Sequence, residues 1–257
     1  MKIALITGAS SGLGAEFAHQ IAELDASKGV EELWLLARRQ DRLEALAQEL
    51  DRPCKILALD LLESEALETL KAELAAAQPQ ISYLVNSAGF GRQGPFADQA
   101  APCHQEMVDL NIRALLDVTY LAKPYLVPGS QVLLISSVAA FLPQPAYAVY
   151  AATKTFVLNF SRALRREWQG EGIKVTAVCP NLMETDFLAK AGIEGKTQSL
   201  KSLGLEPVSR VVKKGLRRSA AGKDLAISSG LGKAIYLASK ILPTSFILWL
   251  EKVFGMY

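Results

Sequence analysis

Tyr150-Ala151-Ala152-Thr153-Lys154 sets a phenol and an ammonium four residues apart, on one face of the segment if it is helical. A phenol that titrates near 10 exchanges protons poorly at neutral pH. A neighbouring ammonium stabilises the phenolate, lowers that value and turns the pair into a general acid/base. The spacing alone is common. Its place in the chain gives it meaning, because it follows an apolar run ending in Ile135-Ser136-Ser137. Ligands of open α/β sheets sit beyond the carboxyl ends of the strands. A Ser137 hydroxyl at such an end is placed to hydrogen-bond a substrate carbonyl.

A second group of residues suits phosphate. Thr7-Gly8-Ala9-Ser10-Ser11-Gly12-Leu13-Gly14 follows an apolar run and opens an amphipathic one. Glycines at 8, 12 and 14 let a pyrophosphate approach the N–H groups of a helix N-terminus, where side chains would block it. Ser10 and Ser11 add hydroxyl donors, and Leu13 lies within the same loop. The next apolar run ends in Leu36-Ala37-Arg38-Arg39. A dinucleotide site that takes NAD carries a carboxylate here for the ribose 2′-hydroxyl. Two guanidinium groups suit a 2′-phosphate instead, through bidentate charge-assisted hydrogen bonds, so NADP(H) is the expected cofactor. Asp60, with Leu61 beside it, ends the third apolar run and is expected to accept from the adenine amine.

The elements that must position these groups follow from periodicity. Short apolar runs at 2–7, 32–37, 55–59, 81–86, 131–136 and 174–179 read as strands. Helical patterns at 12–26, 41–50, 63–77, 103–123 and 147–169 alternate with them. Such alternation predicts βαβ units and a mostly parallel sheet of six to seven strands with helices on both faces, a doubly wound Rossmann-like α/β sandwich. Residues 180–206 lack a clean period and read as a mobile loop with some helix. A basic helix over 207–221, a seventh strand over 224–228 and an apolar amphipathic stretch over 231–257 follow. With no repeat and no linker, 1–257 reads as one domain, with 186–224 as substrate-side loop and helix and 225–257 as a hydrophobic extension.

Composition excludes several classes. The chain has 257 residues, of which 50% are hydrophobic, 21% charged and 29 glycine or proline, so collagen-like and low-complexity classes are out. Three cysteines without a CxxC pair make a poor disulfide framework, and His19 and His104 lack metal-site spacing, so no metal is expected. The first apolar run is short and meets a Gly/Ser turn at once, unlike a signal peptide. The late apolar stretch 241–250 contains Pro243 and spans ten residues, against about 20 for a membrane span. A cytoplasmic protein is expected, with no nucleic-acid partner. The net charge of +2 is divided unevenly. Residues 1–189 carry 16 Lys+Arg and 22 Asp+Glu, a net of −6, whereas 190–257 carry 12 and 4, a net of +8.

From residue 1 to about 186 the chain resembles the short-chain dehydrogenase/reductase family. TGASSGLG, NSAG at 86–89, Asn111, Ser137 thirteen residues before Tyr150, and YAATK occur in the family's order and spacing. The resemblance implies NAD(P)-dependent oxidoreduction on a Rossmann fold. It makes Tyr150 the general acid/base and Ser137 the group that polarises the carbonyl. Lys154 would lower the tyrosine pKa and bind the nicotinamide ribose, and Asn111 would support a water relay to Lys154. Asn86, Ala88 and Gly89 would line the adenosine side, and Pro180, Met183 and Thr185 would add cofactor contacts. The family often forms dimers or tetramers through helices corresponding to 103–123 and 147–169. Two departures stand out. Pro180-Asn181 replaces Pro-Gly, and asparagine is expected to keep the turn because it tolerates positive φ. Ser87 replaces the second asparagine of NNAG and keeps a polar group.

The region after 186 should select the substrate. Leu142, Pro143, Met183, Phe187, Leu188 and Ile193 are apolar and near the expected site, which suggests a lipophilic carbonyl or secondary alcohol. The leading reading is an NADPH-dependent carbonyl reductase. A non-catalytic NADP(H)-binding sensor or scaffold is the alternative, opposed by the complete set Asn111, Ser137, Tyr150 and Lys154. A sugar-nucleotide epimerase would need a larger C-terminal domain. The apolar tail at 231–254 could cap the pocket, pack as core or dimer contact, or touch a membrane surface.

Overall fold

The computed structural model describes residues 1–24, 30–183 and 205–253. Among them the strands are β1 (Lys2–Thr7), β2 (Glu32–Ala37), β3 (Cys54–Ala58), β4 (Gln80–Asn86), β5 (Leu126–Ile135), β6 (Lys174–Val178) and β7 (Leu225–Ala226). The helices are α1 (Gly12–Ala22), α2 (Gln40–Glu49), α3 (Ser64–Ala77), α4 (Ala101–Val108), α5 (Ala114–Ala122), α6 (Ala148–Glu167), α7 (Val208–Ala220), α8 (Gly230–Ile241) and α9 (Thr244–Val253). The seven strands form one sheet in the order β3-β2-β1-β4-β5-β6-β7, and every pairing is parallel. The strand order reverses between β1 and β4. That switch point opens a crevice at the carboxyl ends of the strands.

The strands are apolar almost throughout because both faces of the sheet are covered. Successive side chains of a strand point to opposite faces, and the two cores divide accordingly. Ile3 and Leu5 of β1, with Trp34 and Leu36 of β2, pack on Leu70 and Leu74 of α3, Val118 of α5 and Val157 of α6. Ala4 and Ile6, with Leu33 and Leu35, pack on Phe17 and Ile21 of α1, Leu43 of α2, and Val211 and Val212 of α7. Each such valine, leucine or isoleucine contributes about 1.5–3 kcal/mol over leaving it in water. Shifting either strand by one residue would exchange the two sets.

The structure departs from the expected elements in three places. The helix expected over 103–123 is α4 and α5 joined by a π turn, Asp109–Arg113, which carries buried Asn111. β5 begins at Leu126, ahead of the apolar run, because Ser130 Oγ accepts from Val127 N–H at 2.8 Å and donates to Ile81 C=O at 2.7 Å. The seventh strand pairs over only two residues.

Candidate active site

A cavity of about 550 Å³ lies at the carboxyl ends of the strands, and Gly8, Ser10, Ser11, Gly12 and Leu13 form part of its wall. Gly8 adopts φ +68, and a Cβ there would come 2.8 Å from Ala88 N. Only glycine meets both demands without strain. Gly14 does not line the cavity. Its Cβ position lies 2.2 Å from Gly8 O, so its role is close packing of α1 on the turn after β1. The first turn of α1 holds no acidic residue. The orphan N–H groups and the positive end of the helix dipole there are left for an anion. Thr7 Oγ1 accepts from both Ser87 N–H and Ala88 N–H at 3.1 Å, which ties the glycine turn to the segment after β4 and brings Ala88 and Gly89 into the wall.

At the other side of the loop, Arg38, Arg39, Asp60 and Leu61 line the same cavity. Arg39 Nη2 donates to Ser11 Oγ at 2.9 Å and Ser10 Oγ at 3.1 Å. Arg38 Nη1 lies 3.4 Å from Asp60 Oδ2, and Asp60 Oδ1 accepts from Leu62 N–H at 3.1 Å. Glycine turn, helix N-terminus, serines and guanidinium groups converge along one wall. This donor set fits the phosphates of a dinucleotide.

Ser137, Tyr150 and Lys154 line the other end of the cavity. Lys154 Nζ donates to Ile135 C=O at 2.9 Å and lies 5.7 Å from the centre of the Tyr150 ring. Ser137 Oγ accepts from Ala139 N–H at 3.1 Å, so its own proton is left for Tyr150 and the cavity. Two residues that look like spacers in the sequence hold α6 in place. Ser136 Oγ donates to Lys154 C=O at 2.7 Å, and Thr153 Oγ1 donates to Tyr150 C=O at 2.8 Å. Burial moves both reactive groups. Tyr150 is pushed up to about 12, although the hydrogen bond with Ser137 pulls the other way. Lys154 is lowered to about 8, with the Cys179 thiol opposing. The Tyr150–Lys154 spacing predicts a lowered tyrosine. In the folded chain the hydration lost by the phenol outweighs its polar neighbours, so Tyr150 keeps its proton at neutral pH.

Several anticipated residues stand elsewhere. Asn86 is buried and donates to Thr119 Oγ1 at 2.8 Å, behind the cavity wall. Asn111 is buried by the π turn. It accepts from Phe90 N–H at 3.0 Å and donates to Phe90 C=O at 2.9 Å and Thr153 Oγ1 at 3.1 Å, bracing both the Gly89-Phe90 segment and α6. Leu142 and Pro143 do not line the cavity, whereas Pro180 and Met183 do. Thr185, Phe187, Leu188 and Ile193 lie outside the described residues. Asn181 does not take the positive φ expected of it. Its N–H donates to Glu206 Oε2 at 3.0 Å, and Ser228 Oγ donates to the same oxygen at 2.9 Å. A buried carboxylate 25 residues along the chain holds this turn.

Tyr147, Gln144, Phe90 and Leu182, which no sequence motif singles out, also stand in the cavity wall, and Leu231 and Ile235 of α8 join them, one of the placements expected for the apolar tail. Tyr147 stands 4.5 Å from Tyr150 between ring centres, and burial raises its pKa. Its hydroxyl is buried without a hydrogen-bond partner among the described residues. The preceding Ala146 sits at φ +57, a left-handed conformation that costs an alanine about 1–2 kcal/mol. The Gly94 N–H, which donates to Ala146 C=O at 2.8 Å, helps hold it there. No periodicity reveals such a turn.

Comparison with known proteins agrees with this geometry. The family model described as short chain dehydrogenase matches residues 2–195. Sulfoacetaldehyde reductase 2 of Chromohalobacter salexigens is 36% identical over 191 residues, 72% of this chain and 74% of that protein. Serine 3-dehydrogenase of Agrobacterium fabrum is 35% identical over 211 residues, 80% of this chain and 82% of that one. A short-chain dehydrogenase from Sphingobium yanoikuyae, solved in complex with NADPH, superimposes with a TM-score of 0.77 at 30% identity. That match covers 88% of this chain and 87% of that one. With its parallel sheet, glycine turn and Ser137-Tyr150-Lys154 cluster, the chain belongs to the short-chain dehydrogenase/reductase family of oxidoreductases.

Proposed function

We propose that this chain is an NADPH-dependent reductase of lipophilic ketones and aldehydes, and in the reverse direction a dehydrogenase of secondary alcohols. The observation that carries the cofactor choice is Arg39. Its guanidinium bridges the two serines of the phosphate loop, and Arg38 stands beside it in the same wall. A 2′-phosphate placed there meets two cations where a 2′-hydroxyl would want a carboxylate. When bound, the dihydronicotinamide supplies the hydride to the carbonyl carbon. The chain supplies the proton and the orientation. Ser137 hydrogen-bonds the carbonyl oxygen, and Tyr150, protonated at neutral pH, donates its phenolic proton to that oxygen. Lys154 stabilises the phenolate left behind and gives its remaining N–H groups to the ribose. Phe90, Leu110, Val138, Met183, Leu231 and Ile235 give the cavity its apolar wall, which favours a lipophilic substrate.

Arg39→Ala should raise the KM for NADPH about tenfold to a hundredfold, the worth of a lost charge-assisted hydrogen bond, and change that for NADH little. Arg38→Ala should act in the same direction. Equal weakening of both cofactors would overturn the preference. A panel of ketones and aldehydes of increasing chain length tests the substrate class, and turnover of none while NADPH still binds would leave a cofactor-binding sensor instead. Arg92, also in the cavity wall, favours a second reading, a small anionic aldehyde like the one in the name of the Chromohalobacter relative. Preference for sulfoacetaldehyde over long ketones, lost in Arg92→Ala, would establish it.

A further inference from the structure

The end of the chain presents an apolar face that nothing in the described structure covers. Leu231, Ala234, Leu237 and Ile241 recur at three- and four-residue steps along α8 and form a stripe on one side of the helix. All four are exposed, Ile241 by 68%. The apolar surface continues through exposed Leu242 and, past Pro243, through Phe246, Trp249 and Val253 of α9. The Phe246 and Trp249 rings stack with centres 5.8 Å apart, and Trp249 is 56% exposed. Ile247, on the opposite side of α9, is buried, so α9 is seated on the protein by one side and shows its aromatic side to solvent. A solvated surface helix would carry polar residues there.

Among the described side chains of α8 and α9 the charged ones are Lys233, Lys240 and Lys252. Lys233 and Lys240 are exposed on α8, two turns apart, roughly 100° around the helix from the stripe. Lys252 is exposed on α9. Residues 231–257 hold these three cations and one acidic residue, Glu251, and the chain from 190 onward has a net charge of +8. Helices that lie in a membrane interface share this layout. Their apolar side enters the headgroup/acyl boundary and flanking lysines reach up to the headgroups. Among the described residues no helix is long and apolar enough to cross a membrane, so the contact would lie in the plane of the surface.

We propose that the exposed face of α8 and α9 docks on an anionic lipid surface. Charge decides between that occupant and a second copy of the chain. A two-fold pairing sets the same patch against itself, which brings Lys233, Lys240 and Lys252 towards their own counterparts. Anionic headgroups complement them. The stripe begins at the catalytic cavity, because Leu231 and Ile235 also line it. Docking therefore sets that wall of the cavity beside the lipid. The proposal stands whether the substrate is lipophilic or a small anion.

Flotation of the full chain with vesicles tests it. Binding is expected to phosphatidylglycerol/phosphatidylcholine vesicles, with little to phosphatidylcholine alone, and it should weaken as NaCl is raised. Each lysine near an anionic surface strengthens binding about fivefold, so the Lys233→Gln, Lys240→Gln, Lys252→Gln triple variant should bind roughly a hundredfold more weakly. The Leu237→Glu, Trp249→Glu double variant should lose more than tenfold. NADPH binding, followed by fluorescence, should be unchanged in both variants, which keeps loss of docking apart from loss of fold or cofactor site. Absence of binding to anionic vesicles would overturn the proposal, as would equal binding to neutral ones or no effect of either variant. Sedimentation showing a dimer that the double variant dissolves, without vesicle binding, would assign the face to a second copy.

Discussion

α6 and α8 both contribute residues to the cavity, yet they treat their apolar side chains in opposite ways. α6 lies on the sheet, and Val157, Leu158 and Leu164 are buried there together with Tyr150 and Lys154. α8 follows the last, two-residue strand and meets the protein mainly at the 138–141 turn after β5, leaving Leu231, Leu237 and Ile241 in water. The difference shows what packing on the sheet does to each helix. Packing on the sheet strips water from the Tyr150–Lys154 pair and shifts both groups. A helix beyond the sheet edge keeps its apolar stripe available for something outside the molecule.

The sharpest test of the buried side is Tyr150→Phe, which should lower kcat about 10²–10⁴-fold, the usual worth of a positioned proton donor. NADPH affinity should stay nearly intact by fluorescence titration, and a matching loss of cofactor binding would deny Tyr150 its role. Next is the titration of Lys154. Its folded value of about 8 lies below the ordinary 10.5, so between those limits the unfolded chain holds the extra proton and stability rises with pH. The full rise is about 3 kcal/mol. Lys154→Met should remove it, as read from urea midpoints at pH 8 and 10. Tyr150 has the opposite sign. Raised from 10 to about 12, it contributes stability that is lost as pH climbs through that window.

Smaller effects probe the frame and then the open face. Gly14→Ala would place a methyl 2.2 Å from the Gly8 carbonyl oxygen, where only backbone could yield. A cost of about 1–3 kcal/mol is expected, visible as a lower Tm and weaker NADPH binding. Leu237→Glu should change stability by no more than about 0.5 kcal/mol by urea unfolding. A larger loss would mean that α8 is seated as firmly as α6 and would erase the contrast.

Much of the frame was legible in local pattern. The strands follow from short apolar runs such as 2–7 and 32–37, and the glycine turn follows from glycines that stand after a strand and before a helix. The cluster of Ser137, Tyr150 and Lys154 in one cavity wall was legible because the three lie close in sequence on consecutive elements. Residues that act across long separations were not. Glu206 holds Asn181, and Asn111 braces Phe90 through a π turn. Leu142 and Pro143 illustrate the converse, since nearness in sequence to Ser137 did not place them in the cavity wall.

The sequence by itself determined the family and the layering, because motif spacing, hydrophobic period and glycine placement act between neighbours along the chain. Only the tertiary structure decided which groups lose their water. That choice raised Tyr150 instead of lowering it, buried Asn86 behind the wall and left the α8–α9 stripe exposed, because burial is a property of what packs against a residue from elsewhere in the chain.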